Sequence, residues 1–337
     1  MKITGKSCLV TGGAGFIGSH LVDVLIKYCC KVRVLDNFIN GKPDNISHHF
    51  GNENFQLLRG SVTDPVDVQR AVQGIDVIFH LACLGVRHSI AHPFENHRVN
   101  SEGSLLVSDA SYRAGVERFI YCSSSEVYGT AQYVPMPESH PTNPCTVYGA
   151  GKLAGEAYTR AYHRTYGMAT VIVRPFNTYG PRSHHEGDAG EMIPKSIVRA
   201  LNGEPIMVFG DGLQTRDFTY VVDTARSLVI AAENDSMIGQ TLNIGSDVEI
   251  SMKDLAYKIA EMVGNPKTEI LFTPNRPGDV FRLFADTKKF MGLCDWEPQV
   301  SFDEGLAMTV GFFRNHPLGI EALMEGESGR NWEEVNK

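Results

Sequence analysis

No apolar run in the 337-residue chain approaches the roughly 20 residues that a helix needs to cross a bilayer. Nor does a signal-peptide-like apolar region precede the first strand pattern. Both absences predict a cytoplasmic chain with no membrane partner. An excess of positive charge is lacking too: 31 Lys+Arg face 39 Asp+Glu, a formal net charge of −8. That balance argues against a nucleic-acid or anionic-lipid partner, while local basic pockets for small anions stay open. The seven cysteines, Cys8, Cys29, Cys30, Cys83, Cys122, Cys145 and Cys294, are odd in number and have no C-x-x-C spacing. They read as reduced thiols, which suits the cytosol. Twelve histidines include His48-His49, His184-His185 and the i,i+4 pair His88 and His92. No third ligand accompanies any of these at a recognisable spacing, so no metal is expected. Internal repeats and low-complexity linkers are also missing.

At 42% hydrophobic and 21% charged residues, the composition is that of a globular protein, and the length suits one large or two medium domains. The chain is organised around residues 8–20. There Gly12, Gly15 and Gly18 stand between the strand pattern Ser7-Cys8-Leu9-Val10 and the helical pattern Ile17, Leu21, Val24, Leu25, Tyr28. In G-x-x-G-x-x-G the first glycine allows a tight turn, the second lets backbone approach a pyrophosphate, and the third packs the helix on the sheet. The helix start at Phe16 and Ile17 then faces the ligand with free amides and a positive dipole end. Lys31-Val32-Arg33-Val34-Leu35-Asp36 is a second buried strand, ending in an acid 18 residues after Gly18. A carboxylate there accepts hydrogen bonds from ribose hydroxyls and repels a 2′-phosphate, which favours NAD over NADP and places Asp36 and Asn37 against it.

Strand patterns at 55–60, 77–82, 118–122 and 169–173 alternate with helical ones at 64–72, about 95–114 and from 148 onward. The alternation predicts an α/β fold with a Rossmann-type doubly wound parallel sheet. Ligands of such sheets sit beyond the strand C-terminal ends, so Leu81, Ala82 and segments 82–89 and 122–128 should line the site. The expected division is 1–180 as the cofactor domain with 218–244 returning to it. Residues 181–217 and 245–315 form a smaller C-terminal α/β substrate domain, and 316–337 a loose tail without a clear apolar face. Tyr148 and Lys152 lie four residues apart on one helical face.

The motifs run from Thr11-Gly12-Gly13-Ala14-Gly15-Phe16-Ile17-Gly18 to Gly292-Leu293-Cys294-Asp295-Trp296-Glu297-Pro298. Between them stand Ser124, Tyr148-x-x-x-Lys152, Arg216-Asp217-Phe218 and Arg276-Pro277-Gly278-Asp279. In this order nearly the whole chain resembles the extended short-chain dehydrogenase/reductases that act on nucleotide sugars. The resemblance implies NAD as cofactor and a nucleotide-diphosphate sugar as substrate. It implies Tyr148 as the base for the sugar C4 hydroxyl, Lys152 as a holder of the nicotinamide ribose, and Ser124 as a partner of the C4 oxygen. It also implies Arg216 and Arg276 as diphosphate contacts, Asn177 as a sugar-nucleotide contact and Asp279 as a ribose contact, with Arg87 and Ser125 in the same pocket. A free phenol titrates near 10, so working near neutrality asks about 4 kcal/mol of its surroundings. The Lys152 ammonium and the positive nicotinamide have the required sign. A homodimer through the helices following Glu95 and Tyr148 is a further implication.

In that family the first step yields a 4-keto sugar, and the second step defines the enzyme. A 4-epimerase returns hydride to the other face and needs no further acid or base. A 4,6-dehydratase needs both, usually an Asp-Glu pair directly after the serine or threonine, where this chain has Ser125 and Glu126. UDP-glucuronate decarboxylases share the Ser-Glu-Val-Tyr-Gly stretch but usually lack the Val86-Arg87-x-Ser89-Ile90-x-x-Pro93 segment. The ranking is UDP-sugar 4-epimerase, then NDP-hexose 4,6-dehydratase, then decarboxylase, with Glu126 a catalytic candidate whose part differs among them. The competing class is a non-catalytic NAD-binding regulator on the same fold, which would be expected to lack Tyr148 or Lys152.

Overall fold

Short apolar runs rich in Val, Ile and Phe, bounded by turn residues, become buried parallel strands. In the computed structural model, which describes residues 1–265, 268–276, 278–325 and 327, six of them are β1 (Ser7–Thr11), β2 (Lys31–Asp36), β3 (Phe55–Arg59), β4 (Val77–His80), β5 (Arg118–Cys122) and β6 (Thr170–Pro175). A seventh strand, Thr241–Ile244, lies beside β6. The sheet order is Thr241–Ile244, β6, β5, β4, β1, β2, β3, with every pairing parallel. This is the Rossmann-type doubly wound sheet. Winding reverses between β1 and β4, and a crevice opens there beyond the strand ends.

Helix α1 (Phe16–Lys27) follows the glycine turn and buries Leu21, Val22, Val24 and Leu25 against the helix Val221–Glu233. Residues 221–244 thus return to the sheet, by that helix and by the seventh strand. A second core gathers Ile193, Ile197, Val208, Leu255, Ile259, Leu306, Val310 and Phe313 around the helices Met192–Leu201, Met252–Val263 and Phe302–Arg314. Three stretches depart from the expectations. Phe290 and Trp296, assigned to the smaller domain, are buried in the sheet's own core, their rings edge to face at 5.3 Å. The helical run expected from about 95 starts at Pro93, whose fixed φ suits a first helical position, and passes through a π-helical turn at Arg98–Glu102. Residues 319–325, expected in a loose tail, form a helix with Leu323 buried and Ile320 and Met324 against the second core. That i, i+3, i+4 trio is a sufficient apolar face in so short a segment. Residues 326 and 328–337 of the expected tail, and Pro277 of the Arg276 motif, lie outside the described residues. Among the described residues no helix is long and apolar enough to cross a membrane.

Candidate active site

The cleft at the sheet's switch point has a volume of about 400 Å³ and runs from the glycine turn to the second core. Gly12, Gly15, Phe16, Ile17 and Gly18 form one end of its wall. Gly12 adopts φ 71°, and a Cβ on it would stand 2.8 Å from the Ala82 backbone. A Cβ on Gly18 would overlap the Gly12 carbonyl. Only glycine therefore lets β1, α1 and the end of β4 meet this closely. Gly15 caps α1 without a side chain, so nothing stands over the helix start. Thr11 Oγ1 accepts the Leu81 and Ala82 amides, each at 3.2 Å, which sets the floor of the cleft. Asp36 projects from the end of β2, 7% exposed, its two oxygens accepting the Phe38 and Ala14 amides at 2.8 and 2.9 Å. Burial pushes its carboxyl up and the two amides oppose that. Asn37 lies beside it on the wall. A side-chain-free helix start with an acid one strand away is a set of groups that fits a dinucleotide with an unphosphorylated ribose.

Ser124, Tyr148 and Lys152 meet in the middle of the cleft. Strand β5 ends at Cys122 and hands Ser124 to the cleft in extended conformation, φ −160°. The helix Val147–Tyr166, capped by Thr146 Oγ1 on the Gly149 amide at 3.1 Å, brings Tyr148 and Lys152 in on one face. A Cβ on Gly155 would run into the Tyr121 ring, so glycine is what lets this helix lie on β5. Lys152 is 3% exposed and donates to the Cys122 carbonyl at 2.7 Å. Burial opposes its charge, yet Cys83, Tyr121 and Tyr148 around it hold the ammonium above its ordinary range. For Tyr148 the expected lowering does not appear in the polypeptide alone. Burial, then the Cys83 thiol, pushes the phenol up by more than Lys152 and Ser124 pull it down. Taking a charge out of water costs more here than one nearby cation returns.

The other end of the cleft carries the cations. Arg216 and Arg276 both donate to Asp279 Oδ1, at 2.9 and 2.6 Å. Asp279 therefore clamps the two guanidiniums side by side, an arrangement suited to a diphosphate. Arg87 faces them, its pKa lowered to about 10 by burial and by Arg276. Asn177 lines the same wall, and its Nδ2 is buried without a partner. Ser125 is buried at the cleft floor, and Glu126 beside it is pushed up by burial although Arg216 and Arg276 oppose the shift. Each residue named singly for the site thus lines one cleft. His88, Ser89, Val127 and Tyr128, at the far ends of the expected segments 82–89 and 122–128, do not, Val127 and Tyr128 being buried in a core of their own beside Phe176 and Leu283.

Several contributors were not legible in the sequence. Glu191 lines the cleft near Arg87, its carboxyl raised by burial. Glu327 is held by Arg199 at 2.7 Å and Lys195 at 3.2 Å on the cleft wall. Asn100 receives the Leu84 amide and donates to the Leu84 carbonyl, both at 2.9 Å, fixing the loop that carries Arg87. Asn96 Nδ2 donates to the Leu84 and Gly85 carbonyls at 3.0 and 3.1 Å; in the sequence both asparagines lie in a plain helical pattern, with nothing to distinguish them. The histidine reading needs a correction as well. Asp23 supplies the third group beside His48 and His49, their ligand atoms within 4.8 Å of one another. It comes from α1, 25 residues upstream of His48, which spacing along the chain does not reveal. Both Nε2 atoms lie 2.7 Å from Asp23 Oδ1, and Arg182 holds Oδ2 at 2.9 Å.

Residues 8–245 match the model of the NAD dependent epimerase/dehydratase family. The chain is 37% identical over 334 residues to UDP-glucuronic acid decarboxylase 2 of Arabidopsis thaliana, covering 97% of this chain and 72% of that one. It is 37% identical over 311 residues to UDP-glucose 4-epimerase of Mycolicibacterium smegmatis, covering 91% and 98%. The structure of the dTDP-glucose 4,6-dehydratase DesIV from Streptomyces venezuelae, with NAD and TYD bound, superposes with a TM-score of 0.89 at 31% identity over 94% of this chain and 99% of that one.

Proposed function

The chain belongs to the NAD dependent epimerase/dehydratase family, and from that premise we propose that it is a 4-epimerase of a nucleotide-diphosphate hexose, with UDP-hexoses its substrates. It is an NAD-dependent enzyme. The observation that carries the finer reading is the chemistry after Ser124. Ser125, not an acid, stands beside Glu126, which leaves that turn one carboxyl where an elimination across C5 and C6 requires both an acid and a base.

NAD, when bound, accepts the C4 hydride and returns it, and its positive ring adds to the field on the neighbouring phenol. Asp36 and the glycine turn would hold its adenosine end, and Lys152 its nicotinamide ribose. Arg216 and Arg276 fix the substrate's diphosphate, with Asp279 holding both guanidiniums on one oxygen. Asn177 gives its unpartnered Nδ2 to the sugar nucleotide. Tyr148 takes the C4 hydroxyl proton as hydride leaves and gives it back on return, while Ser124 holds the C4 oxygen. The phenol starts protonated and above its ordinary range, so Lys152 and the charge of the cofactor together must draw the proton off. Epimerisation then needs only that the keto sugar turn within the cleft.

Two observations favour other outcomes of the same first step. Glu126 and Glu191 are both cleft carboxyls raised by burial, which would serve a 4,6-dehydratase. Glu126 in Ser-Glu-Val-Tyr-Gly, with the likeness to a decarboxylase, would serve loss of CO₂ from a glucuronate. Incubating the purified protein with UDP-, GDP- and dTDP-sugars, UDP-glucuronate included, in heavy water separates all three by NMR. The expected result is inversion at C4 without deuterium at C5. A 4-keto-6-deoxy sugar deuterated at C5, or a pentose with CO₂, would replace the first reading.

A homodimer is proposed with it. Leu105 and Tyr112 on the helix Gly103–Ala114, and Val147 and Tyr166 on the helix Val147–Tyr166, are exposed, with the Tyr112 and Tyr166 rings 4.9 Å apart. The free thiols of all seven cysteines support a reducing, cytoplasmic setting.

A further inference from the structure

We propose that the Lys42–Glu186 ion pair is a clasp across the mouth of the cofactor cleft and sets how long NAD stays bound; this rests on the cofactor assignment above. The two residues belong to opposite walls. Asn37, Asn40 and Gly41, just before Lys42, line the cleft on the side of Asp36, while His184, Asp188 and Ala189 line it on the other. Lys42 Nζ and Glu186 Oε1 meet at 2.5 Å, bridging those walls.

Each end of the bridge is fixed at its root. The Lys42 amide donates to the Ala14 carbonyl at 3.0 Å, which ties it to the glycine turn itself. Glu186 Oε2 receives the His185 amide at 3.0 Å and faces His185 Nδ1 at 2.8 Å, leaving Oε1 directed at Lys42. The His184 and His185 rings and Lys42 together hold the Glu186 carboxyl well below the usual carboxylate range against its partial burial. Where the loop leaves the sheet, His20 Nε2 lies 2.9 Å from the Pro181 carbonyl oxygen. One residue later Arg182 is bound by Asp23, the carboxylate shared with His48 and His49. Beyond the clasp the His185 ring packs edge-on against Phe313 of the second core, centroids 5.6 Å apart.

The loop is thus stapled to α1 at its root and to the second core behind, and the ion pair joins it to the wall that carries Asn40 and Gly41. Lys42 and Glu186 side chains are 46% and 29% exposed. A pair this accessible to water is weak, so it opens without unfolding anything and acts on the rate of release more than on the fold.

The test measures release of NAD from purified holoenzyme. Samples are diluted, the holo fraction is followed over time by native mass spectrometry, and melting temperature is recorded in parallel. Lys42→Ala and Glu186→Gln are each expected to release NAD about fivefold faster, equivalent to about 1 kcal/mol, with melting temperature little changed. The charge-reversed double variant Lys42→Glu/Glu186→Lys is expected to return the rate to within about twofold of the parent. Release at the parent rate from both single variants overturns the clasp, as does a charge-reversed protein that folds and releases as fast as they do. A parent protein that takes up no NAD overturns the cofactor assignment and the clasp with it.

Discussion

The Ser123 hydroxyl donates a 2.6 Å hydrogen bond to Glu156 Oε1, joining the end of β5 to the helix that carries Tyr148 and Lys152. Glu156 is fully buried, and Arg174 of β6 grips both of its oxygens, at 2.7 Å to Oε1 and 2.6 Å to Oε2. Ser124 is the next residue after this anchor, so an ion pair that touches neither Ser124 nor Tyr148 joins the two elements that carry them.

Removing one partner of that pair leaves the other as an uncompensated buried charge. Glu156→Ala is expected to lower stability by about 3–5 kcal/mol, because Arg174 is only 3% exposed. Denaturant unfolding checks it. Glu156→Gln, which keeps an acceptor for Ser123, should lose less.

The same carboxylate makes stability depend on acid. Burial opposes the Glu156 charge, but Arg174, Ser123 and Arg160 hold its folded pKa below the ordinary value. A carboxyl lowered on folding stabilises at pH above its unfolded pKa of about 4.3 and loses that contribution as pH falls toward its folded value. Melting curves between pH 7 and pH 3 should show an acid loss that is smaller in Glu156→Gln, which has no such proton to bind.

Tyr148→Phe is expected to cut turnover by about 10²–10⁴ while the protein still folds and takes up NAD. In the parent, kcat/KM should rise with pH as the phenol yields its proton. Lys152→Met removes a cation that lowers the phenol, so the rising limb should move to higher pH. A limb that stays in place would show that Lys152 does not act through Tyr148.

Glu126→Gln separates the reactions. An epimerase should keep turnover within about tenfold of the parent, since that chemistry asks no proton of Glu126. A loss of about 10²–10⁴ with the fold intact, read by NMR of the products, would place Glu126 in the chemistry.

Asp36→Ala is expected to narrow the preference for NAD over NADP by about 10–100-fold, from lost hydrogen bonds to a charged acceptor and lost repulsion of a 2′-phosphate. Calorimetric titration of both cofactors checks the ratio. The ratio cancels any general loosening of the turn at Ala14 and Phe38, whose amides Asp36 holds.

The amino-acid sequence by itself determined the sheet, the glycine turn, Asp36, and the Tyr148 and Lys152 face. These rest on local rules: strand and helix periodicity, glycine where backbone must approach backbone, and side chains four apart on one helix. Tertiary structure alone decided which charges meet. Asp23 with His48, His49 and Arg182, Glu156 with Ser123 and Arg174, and Lys42 with Glu186 are each assembled from elements distant along the chain. It also decided the sign of the Tyr148 shift, since desolvation depends on everything packed around the phenol and not on the lysine one turn away.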